Sequence, residues 1–291
     1  MFSVVIPLYN KEDYIGKTIQ SVLHQTYSEF EIIVVNDSST DRSLKVVESF
    51  KDSRIKIYTI PNGGVSIARN YGIQKATHEI IAFLDSDDVW EENYLYSINE
   101  LILRFPNAGL YASAYSAVCK GKVLYTNRIK NLPTYSLLKD YFETSFNSGL
   151  SINITSATCL KREIASRMSM FRESIKRGED IDVWLRVALK YPVAFCNKSL
   201  MRYTVDSPTS LSRNYTQNKD DFPYLEWLQY RSASPYFRKY VILAIYISAK
   251  NSFYAKDYIN CYMLLKKVWR IELFSKGIKR LYLLIVSFLK K

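Results

Sequence analysis

The first ninety residues constrain the fold most, because two hydrophobic periods alternate along them. "FSVVIP" is a short apolar run with β-branched residues, and Ile15, Ile19, Val22 and Leu23 then recur at helical spacing. "FEIIVV" repeats the strand signal. "SSTDRSLKVVESF" opens with Ser and Thr capping candidates ahead of a stripe of Leu44, Val47 and Phe50. "RIKIYTI" predicts a third strand, "SIARNYGIQKA" a helix and "EIIAFL" a fourth strand. Strands that alternate with helices, each apolar on both faces, predict an α/β fold built on a mostly parallel sheet flanked by helices.

Ligands of such sheets bind beyond the carboxyl ends of the strands. Pro7, Tyr9 and Asn10 close the first strand, and Asp37 follows the second. Asn62, Gly63 and Gly64 follow the third, and Asp85 and Asp87 the fourth, so four loops are expected to converge on one crevice. Asp85, Asp87 and Asp88 crowd into a single turn, where like charges repel. Two explanations stand. Either the turn is solvated, with Asp85 capping the next helix, or a cation completes it. Hard carboxylate oxygens suit Mg²⁺ or Mn²⁺, which bind through one or two carboxylates plus substrate phosphates, so this edge suits a nucleotide diphosphate.

After Trp90 the pattern changes. "NYLYSINELILRF" predicts a helix, and "AGLYASAYSAV" and "GKVLYTN" predict strands of a mixed or antiparallel extension. "SINITSATCLKREIASRM" reads as a strand entering a helix. "GEDIDVWLRVALKY" reads as a helix with acids in its first turn and bases in its last. From about residue 220 the pattern is helical. With no internal repeat and no Pro- or Ser-rich linker, the expectation is a one-domain core over 1–220, made of the halves 1–90 and 91–220. A basic, aromatic-rich helical appendage follows over 221–291.

Several classes are disfavoured. No GxxxxGK[ST] phosphate loop and no GxGxxG after the first strand occurs, which argues against a P-loop ATPase and a dinucleotide-dependent dehydrogenase. The four cysteines form no CxxC pair and there are two histidines, which argues against a zinc site and for free thiols in a reducing compartment. "MFSVVIPLYN" lacks the basic and long apolar regions of a signal peptide, so a cytoplasmic location is expected.

"SVVIPLYNKEDYIGKTIQSVLHQTYSEFEIIVVNDSSTDRS", "NGGVSIARNYGI" and "IIAFLDSDDVW" together resemble family-2 glycosyltransferases of the GT-A fold, and the resemblance resumes at "GEDIDVWLRVA". It implies an inverting transfer from a nucleotide-sugar, most often a UDP-sugar, to a hydroxyl of a glycan or lipid-linked acceptor, in surface-polysaccharide synthesis. It also implies that 1–220 is a catalytic domain with a nucleotide-binding half 1–90 and an acceptor half 91–220, and it implies roles for particular residues. Pro7, Tyr9 and Asn10 would shape the nucleotide wall, and Asp37 would accept from the base. Gly64 and Arg69 would lie near the nucleotide or its phosphates, and Asp85 would face the ribose. Asp87 would ligate Mn²⁺ or Mg²⁺, and Asp180 would be the catalytic base. The chemistry needs such a division: leaving-group charge must be stabilised on one side of the sugar, and the acceptor proton taken on the other.

Without the resemblance, Glu179, Asp180 and Asp182 read as ordinary first-turn acids favoured by the helix dipole. Trp184 and Leu185 read as core, with a place in the acceptor pocket the alternative for Trp184; His24 reads as a packed, hydrogen-bonded helix residue and His78 as a surface residue. One departure from the family pattern is "MRYTVDSPTSLSR". It keeps Ser210 and Ser212 but has no histidine, and Asp206 could take that place.

The net charge of +12 is concentrated at the end of the chain: residues 222–291 hold thirteen Lys/Arg against three Asp/Glu. "KYVILAIYISAK" and "LYLLIVSFLKK" are too short to span a bilayer. They read either as helices packed on the core or as interfacial segments, with Trp269 and other aromatics at headgroup depth. The second reading is the expectation: segment 236–291 meets an anionic membrane surface. Two other readings fit the sequence less well. A non-catalytic nucleotide-sugar or glycan-binding protein would lose an acid, yet Asp85, Asp87 and Asp180 are all present. No nucleic-acid partner is expected, because aromatic-basic recognition motifs are absent.

Overall fold

The computed structural model describes residues 1–149, 152–168, 170–175, 178–205, 224–254 and 256–268. In chain order its elements are β1 (Phe2–Leu8), α1 (Ile15–Leu23), β2 (Phe30–Asn36), α2 (Ser43–Glu48), β3 (Ile55–Thr59), α3 (Val65–Lys75), β4 (Ile80–Phe83) and β5 (Val89–Trp90). There follow α4 (Tyr94–Arg104), β6 (Leu110–Cys119), β7 (Lys122–Thr126), β8 (Tyr135–Leu137), α5 (Tyr141–Asn147) and a 3₁₀ turn (Thr155–Ala157). The remainder are β9 (Thr158–Lys161), α6 (Arg162–Arg167), α7 (Glu179–Ala188), β10 (Val193–Thr204), α8 (Tyr224–Trp227), α9 (Phe237–Tyr254) and α10 (Tyr258–Val268).

These elements form two compact units. The first comprises Met1–Lys139, Asn153–Ser174 and Glu179–Asn214; the second comprises Asp140–Ile152, Ile175–Gly178 and Tyr215–Lys291.

The first unit is the expected α/β fold. Its sheet runs β3-β2-β1-β4-β9-β6-β10-β5, with β7 on β6 and β8 on β10. β3, β2, β1 and β4 are parallel, and β9 then runs antiparallel between β4 and β6. The chain moves outward from β1 to β3 and returns to place β4 on the other side of β1. The topological switch point, where open α/β sheets bind ligands, therefore lies between the carboxyl ends of β1 and β4.

Alternation along β1 divides the core. Phe2, Val4, Ile6 and Leu8 face a buried cluster that includes Ile15, Ile19 and Val22 of α1. On the other face α3 packs so closely that a Cβ on Gly72 would lie 2.4 Å from Val5 Cγ1. Only glycine allows that approach, and it fixes the depth of α3 and the place of Arg69 one turn earlier.

The amino edge of the sheet is held by one buried acid. Glu31 Oε1 accepts from Ser3 Oγ at 2.6 Å, Thr77 N at 2.8 Å and Thr77 Oγ1 at 2.7 Å, while Oε2 accepts from Lys56 Nζ at 2.7 Å. Burial alone pushes the Glu31 carboxyl up, but the bonds from Lys56, Ser3 and Thr77 outweigh it and bring it down to about 2.

Several local expectations are corrected. β3 is half-exposed at the sheet edge rather than apolar on both faces. The entry to α2 is held not by a Ser or Thr side chain but by Asp41, whose Oδ1 accepts from Ser43 N at 2.9 Å. His24 is exposed at the carboxyl cap of α1 rather than packed. β10, β5, β8 and α5 were not foreseen. β10 carries a polar Asn197-Lys198-Ser199 interruption where its register against β6 shifts, which hides its strand pattern.

In the second unit Phe142 of α5 packs against Phe237 and Tyr240 of α9, with ring centroids 4.9 and 5.6 Å apart. Asp140 caps α5 through Phe142 N and Glu143 N and accepts from Ser234 Oγ. Tyr240, Val241, Ile242, Ala244 and Ile245 are buried, so the first apolar run of the basic segment is interior to the fold. No helix among the described residues is long and apolar enough to cross a membrane. The second apolar run, Trp269, Asp206, Ser210 and Ser212 lie outside the described residues.

Candidate functional site

The four loops expected to converge do so in pairs. At the switch point the backbone of Asn10 turns through φ 50°, and its Oδ1 accepts from Thr40 N at 2.8 Å. Its own N–H donates to Ser39 Oγ at 3.2 Å, which ties the loop after β1 to the loop after β2. Tyr9 beside it is 47% exposed, while Pro7 is buried in β1 against Val35.

Asp37 is buried. Its carboxylate accepts from Gly63 N at 2.8 Å and Gly64 N at 2.9 Å. The two backbone donors explain the glycine pair physically: they bring the loop after β3 onto Asp37, and Gly64 then enters α3 with φ 93°, open to glycine at no steric cost.

The three acids after β4 do three different things. Asp87 Oδ2 receives Lys11 Nζ at 2.5 Å, so the loops after β1 and β4 are joined by a largely buried ion pair. Asp85 Oδ1 receives Arg69 Nη2 at 2.7 Å. Asp88 turns away from the crevice: it is 1% exposed and accepts from Ser156 Oγ at 2.6 Å and Thr204 N at 2.9 Å. Burial, then the charges of Asp87 and Asp85, push its carboxyl well above the usual range. The turn is thus not simply solvated, and Thr18 Oγ1 secures it through Ser86 O at 3.1 Å and Asp88 O at 2.9 Å.

Arg69 links this turn to α7. Its Nη1 donates to Glu179 Oε1 at 2.8 Å, and its guanidinium stands 5.1 Å from the Phe171 ring centroid. Burial opposes its charge, but Asp85 and Glu179 more than offset that and hold the group firmly protonated. Burial and the charge of Asp180 push the Glu179 carboxyl up, against the lowering effect of Arg69. Asp180, next in the chain, accepts from Thr155 Oγ1 at 3.0 Å.

α7 itself is firmly seated. Trp184 is fully buried against Phe83 and Phe171, with centroids 5.9 and 6.2 Å away. Asp182 is fully buried between Arg172 at 2.5 Å and Arg186 at 2.8 Å. Asp182 is therefore structural, and the same is true of Trp184 and Leu185.

The 3₁₀ turn Thr155–Ala157 is the hub that sequence reasoning missed. Thr155 holds Asp180, Ser156 Oγ donates to Asp88 and accepts from Asp85 N at 3.0 Å, and Ser156 O accepts from Trp90 Nε1 at 2.6 Å. Lys11 was also missed, and Glu179 was noted only as a first-turn acid. The polar run "NITSAT" ahead of a strand was the available signal for the hub.

A divalent cation fits the donor set. One oxygen of each of Asp85 and Asp87 is engaged by a cation, and the second oxygen of each accepts from no described residue. Among the described residues no group of three His, Cys, Asp or Glu side chains could hold a metal ion unaided.

Comparison with known proteins is decisive about family. The profile described as "Glycosyl transferase family 2" matches residues 3–168. The chain belongs to this family. It is 31% identical over 239 residues to the Minor teichoic acid biosynthesis protein GgaA of Bacillus subtilis, covering 77% of this chain and 52% of that protein. It is 29% identical to Glycosyltransferase GlyA of Streptococcus pneumoniae over 74% of this chain and 32% of that protein. It is 28% identical to the Putative teichuronic acid biosynthesis glycosyltransferase TuaG of Bacillus subtilis over 79% of this chain and 87% of that one. The chain thus spans about half, or less, of the length of several curated relatives it matches. Among solved structures, S. aureus TarS 1-349 in complex with UDP-GlcNAc superposes with a TM-score of 0.75 at 20% identity, covering 91% of this chain and 79% of that one, so the family-2 member shares its fold.

Proposed function

We propose that this family-2 protein is an inverting glycosyltransferase that moves a sugar from a UDP-sugar to a hydroxyl of a glycan or lipid-linked acceptor during surface-polysaccharide synthesis. The observation that carries the reading is the pairing of two separated acidic stations on one sheet edge. Asp85 and Asp87 stand after β4 and Asp180 stands at the start of α7; Arg69 bridges Asp85 to Glu179 beside Asp180, and the adjacent Thr155 and Ser156 bond Asp180 and the Asp85 backbone. Relatives named for teichoic and teichuronic acid synthesis, and a similar structure holding UDP-GlcNAc, support the substrate class.

In this reading the crevice between β1 and β4 takes the nucleotide. Pro7, Tyr9 and Asn10 form its wall, Asp37 and Gly64 face the base, and Asp85 faces the ribose. Mn²⁺ or Mg²⁺ would be held by Asp87, with Asp85 beside it, and would offset the charge of the leaving diphosphate. Lys11 adds a cation at the same place. Asp180 takes the acceptor hydroxyl's proton as that oxygen attacks the anomeric carbon from the side opposite the diphosphate, whose oxygen leaves with the electron pair of the broken bond. The enzyme would work in the cytoplasm, with the basic side chains of segment 236–291, and not its buried first apolar run, against an anionic membrane surface. A non-catalytic nucleotide-sugar-binding protein of this fold is the rival.

The test is incubation of the chain with a panel of UDP- and GDP-sugars, with Mn²⁺ or Mg²⁺, measuring nucleoside diphosphate release. Release from a UDP-sugar that disappears in Asp180→Asn supports the reading. Tight UDP-sugar binding with no release under any acceptor condition favours the rival.

A further inference from the structure

The hairpin of β6 and β7 is not absorbed by the donor site. Cys119 pairs with Lys122 across a two-residue turn, Lys120-Gly121, whose φ values of 48° and 75° are those of a tight hairpin turn with both central residues left-handed. Every residue of β7 is exposed. Val123 is 62%, Leu124 57% and Tyr125 52% exposed, although three consecutive apolar side chains of a strand occupy both its faces.

Charge along the hairpin segment is one-sided. Lys120, Lys122, Arg128 and Lys130 are exposed, and no Asp or Glu occurs between Glu100 and Asp140. The hairpin also has a defined place. Val118 of β6 lies opposite Thr204 of β10, and Val205 N donates to Val118 O at 2.9 Å. Thr204 N in turn holds Asp88, so the hairpin springs from the carboxyl edge of the sheet that carries the acids.

Lysines on an edge strand serve to prevent strand pairing, which accounts for the charges but not for three exposed apolar neighbours. Pairing with the β7 of a second copy would bring these like charges together. An anionic lipid surface satisfies both features at once, because aliphatic and aromatic side chains enter the interface while lysines and arginines meet lipid phosphates.

We propose that residues 119–130 form an interfacial anchor that seats the carboxyl edge of the sheet on an anionic membrane. Val123, Leu124 and Tyr125 lie at headgroup depth, and Lys120, Lys122, Arg128 and Lys130 lie on the phosphates. The inference is independent of the donor-site reading and of the basic segment 236–291.

The experiment is co-sedimentation of the full chain with phosphatidylglycerol–phosphatidylcholine vesicles and with pure phosphatidylcholine vesicles. The variants are Val123→Glu/Leu124→Glu and Lys120→Ala/Lys122→Ala. The expected results are preference for the anionic vesicles, at least about a tenfold loss in the Glu pair and about a fivefold loss per lysine removed. UDP binding and thermal melting should be unchanged, since these side chains are exposed. Binding within twofold of wild type in both variants overturns the proposal. So does a wild-type dimer, seen by light scattering, that becomes monomeric in the Glu pair while vesicle binding persists.

Discussion

Arg69 Nη1 donates to Glu179 Oε1 at 2.8 Å across 110 positions of sequence, and through Nη2 the same guanidinium holds Asp85 at 2.7 Å. One buried cation thus sets the spacing between the acid turn after β4 and the helix that carries Asp180. Arg69→Lys cannot fork to both carboxylates. It is expected to keep the fold, lower the melting temperature and reduce turnover about tenfold or more. Arg69→Ala removes the buried cation from the largely buried Glu179 and the partly exposed Asp85, and should cost about 3 kcal/mol in denaturant unfolding.

Asp180→Asn keeps the contact with Thr155 within reach but cannot take a proton. Turnover should fall by about 10²–10⁴-fold with UDP affinity little changed, as read by nucleotide release and calorimetry. Thr155→Val should lower turnover less, because it loosens the position of Asp180 but keeps the carboxylate.

Asp88 gives a prediction that separates it from Asp87. Its folded carboxyl is raised above the unfolded value, so the folded state prefers it protonated, and stability is lost as pH rises from the unfolded value through the folded one. Asp88→Asn removes that dependence and can still accept from Thr204 N. It should be at least as stable as wild type at pH 8 and retain cation-dependent nucleotide binding. Ser156→Ala, which strips a donor from a buried acceptor, should cost about 1–3 kcal/mol.

Glu31 has the opposite sign. Its carboxyl is lowered to about 2, so the stability it contributes is present above the unfolded carboxylate value and is lost as pH falls through the folded one. Acid unfolding should steepen between about pH 4 and pH 2. Glu31→Gln should be less stable at neutral pH and show a shallower acid limb. Urea melts at several pH values check this.

The parallel half of the sheet was legible because β1, β2 and β4 are buried runs separated by helices, and the loop edge followed from topology alone. Asp37, Arg69, Asp85, Asp87 and Asp180 were each nameable from motif and place. Their partners were not. The bonds of Lys11 to Asp87, Arg69 to Glu179 and Thr155 to Asp180 join segments far apart in sequence, and no local pattern encodes such pairings. The same limit hid β10, whose polar interruption is accommodated by a register shift against β6 that only the folded sheet defines. Asp88 was read with its neighbours as part of one repelling cluster, when its burial depends on Ser156 and Thr204 reaching it from two other elements.

The central claim is that the edge between β1 and β4 binds a uridine diphosphate with a cation on Asp87. Its most direct test is calorimetric titration of UDP and GDP into the protein with and without Mn²⁺, alongside Asp87→Ala. The account predicts Mn²⁺-dependent UDP binding that is lost in the variant. UDP binding of equal strength with and without Mn²⁺ and in Asp87→Ala, or no nucleotide binding at all, would contradict it.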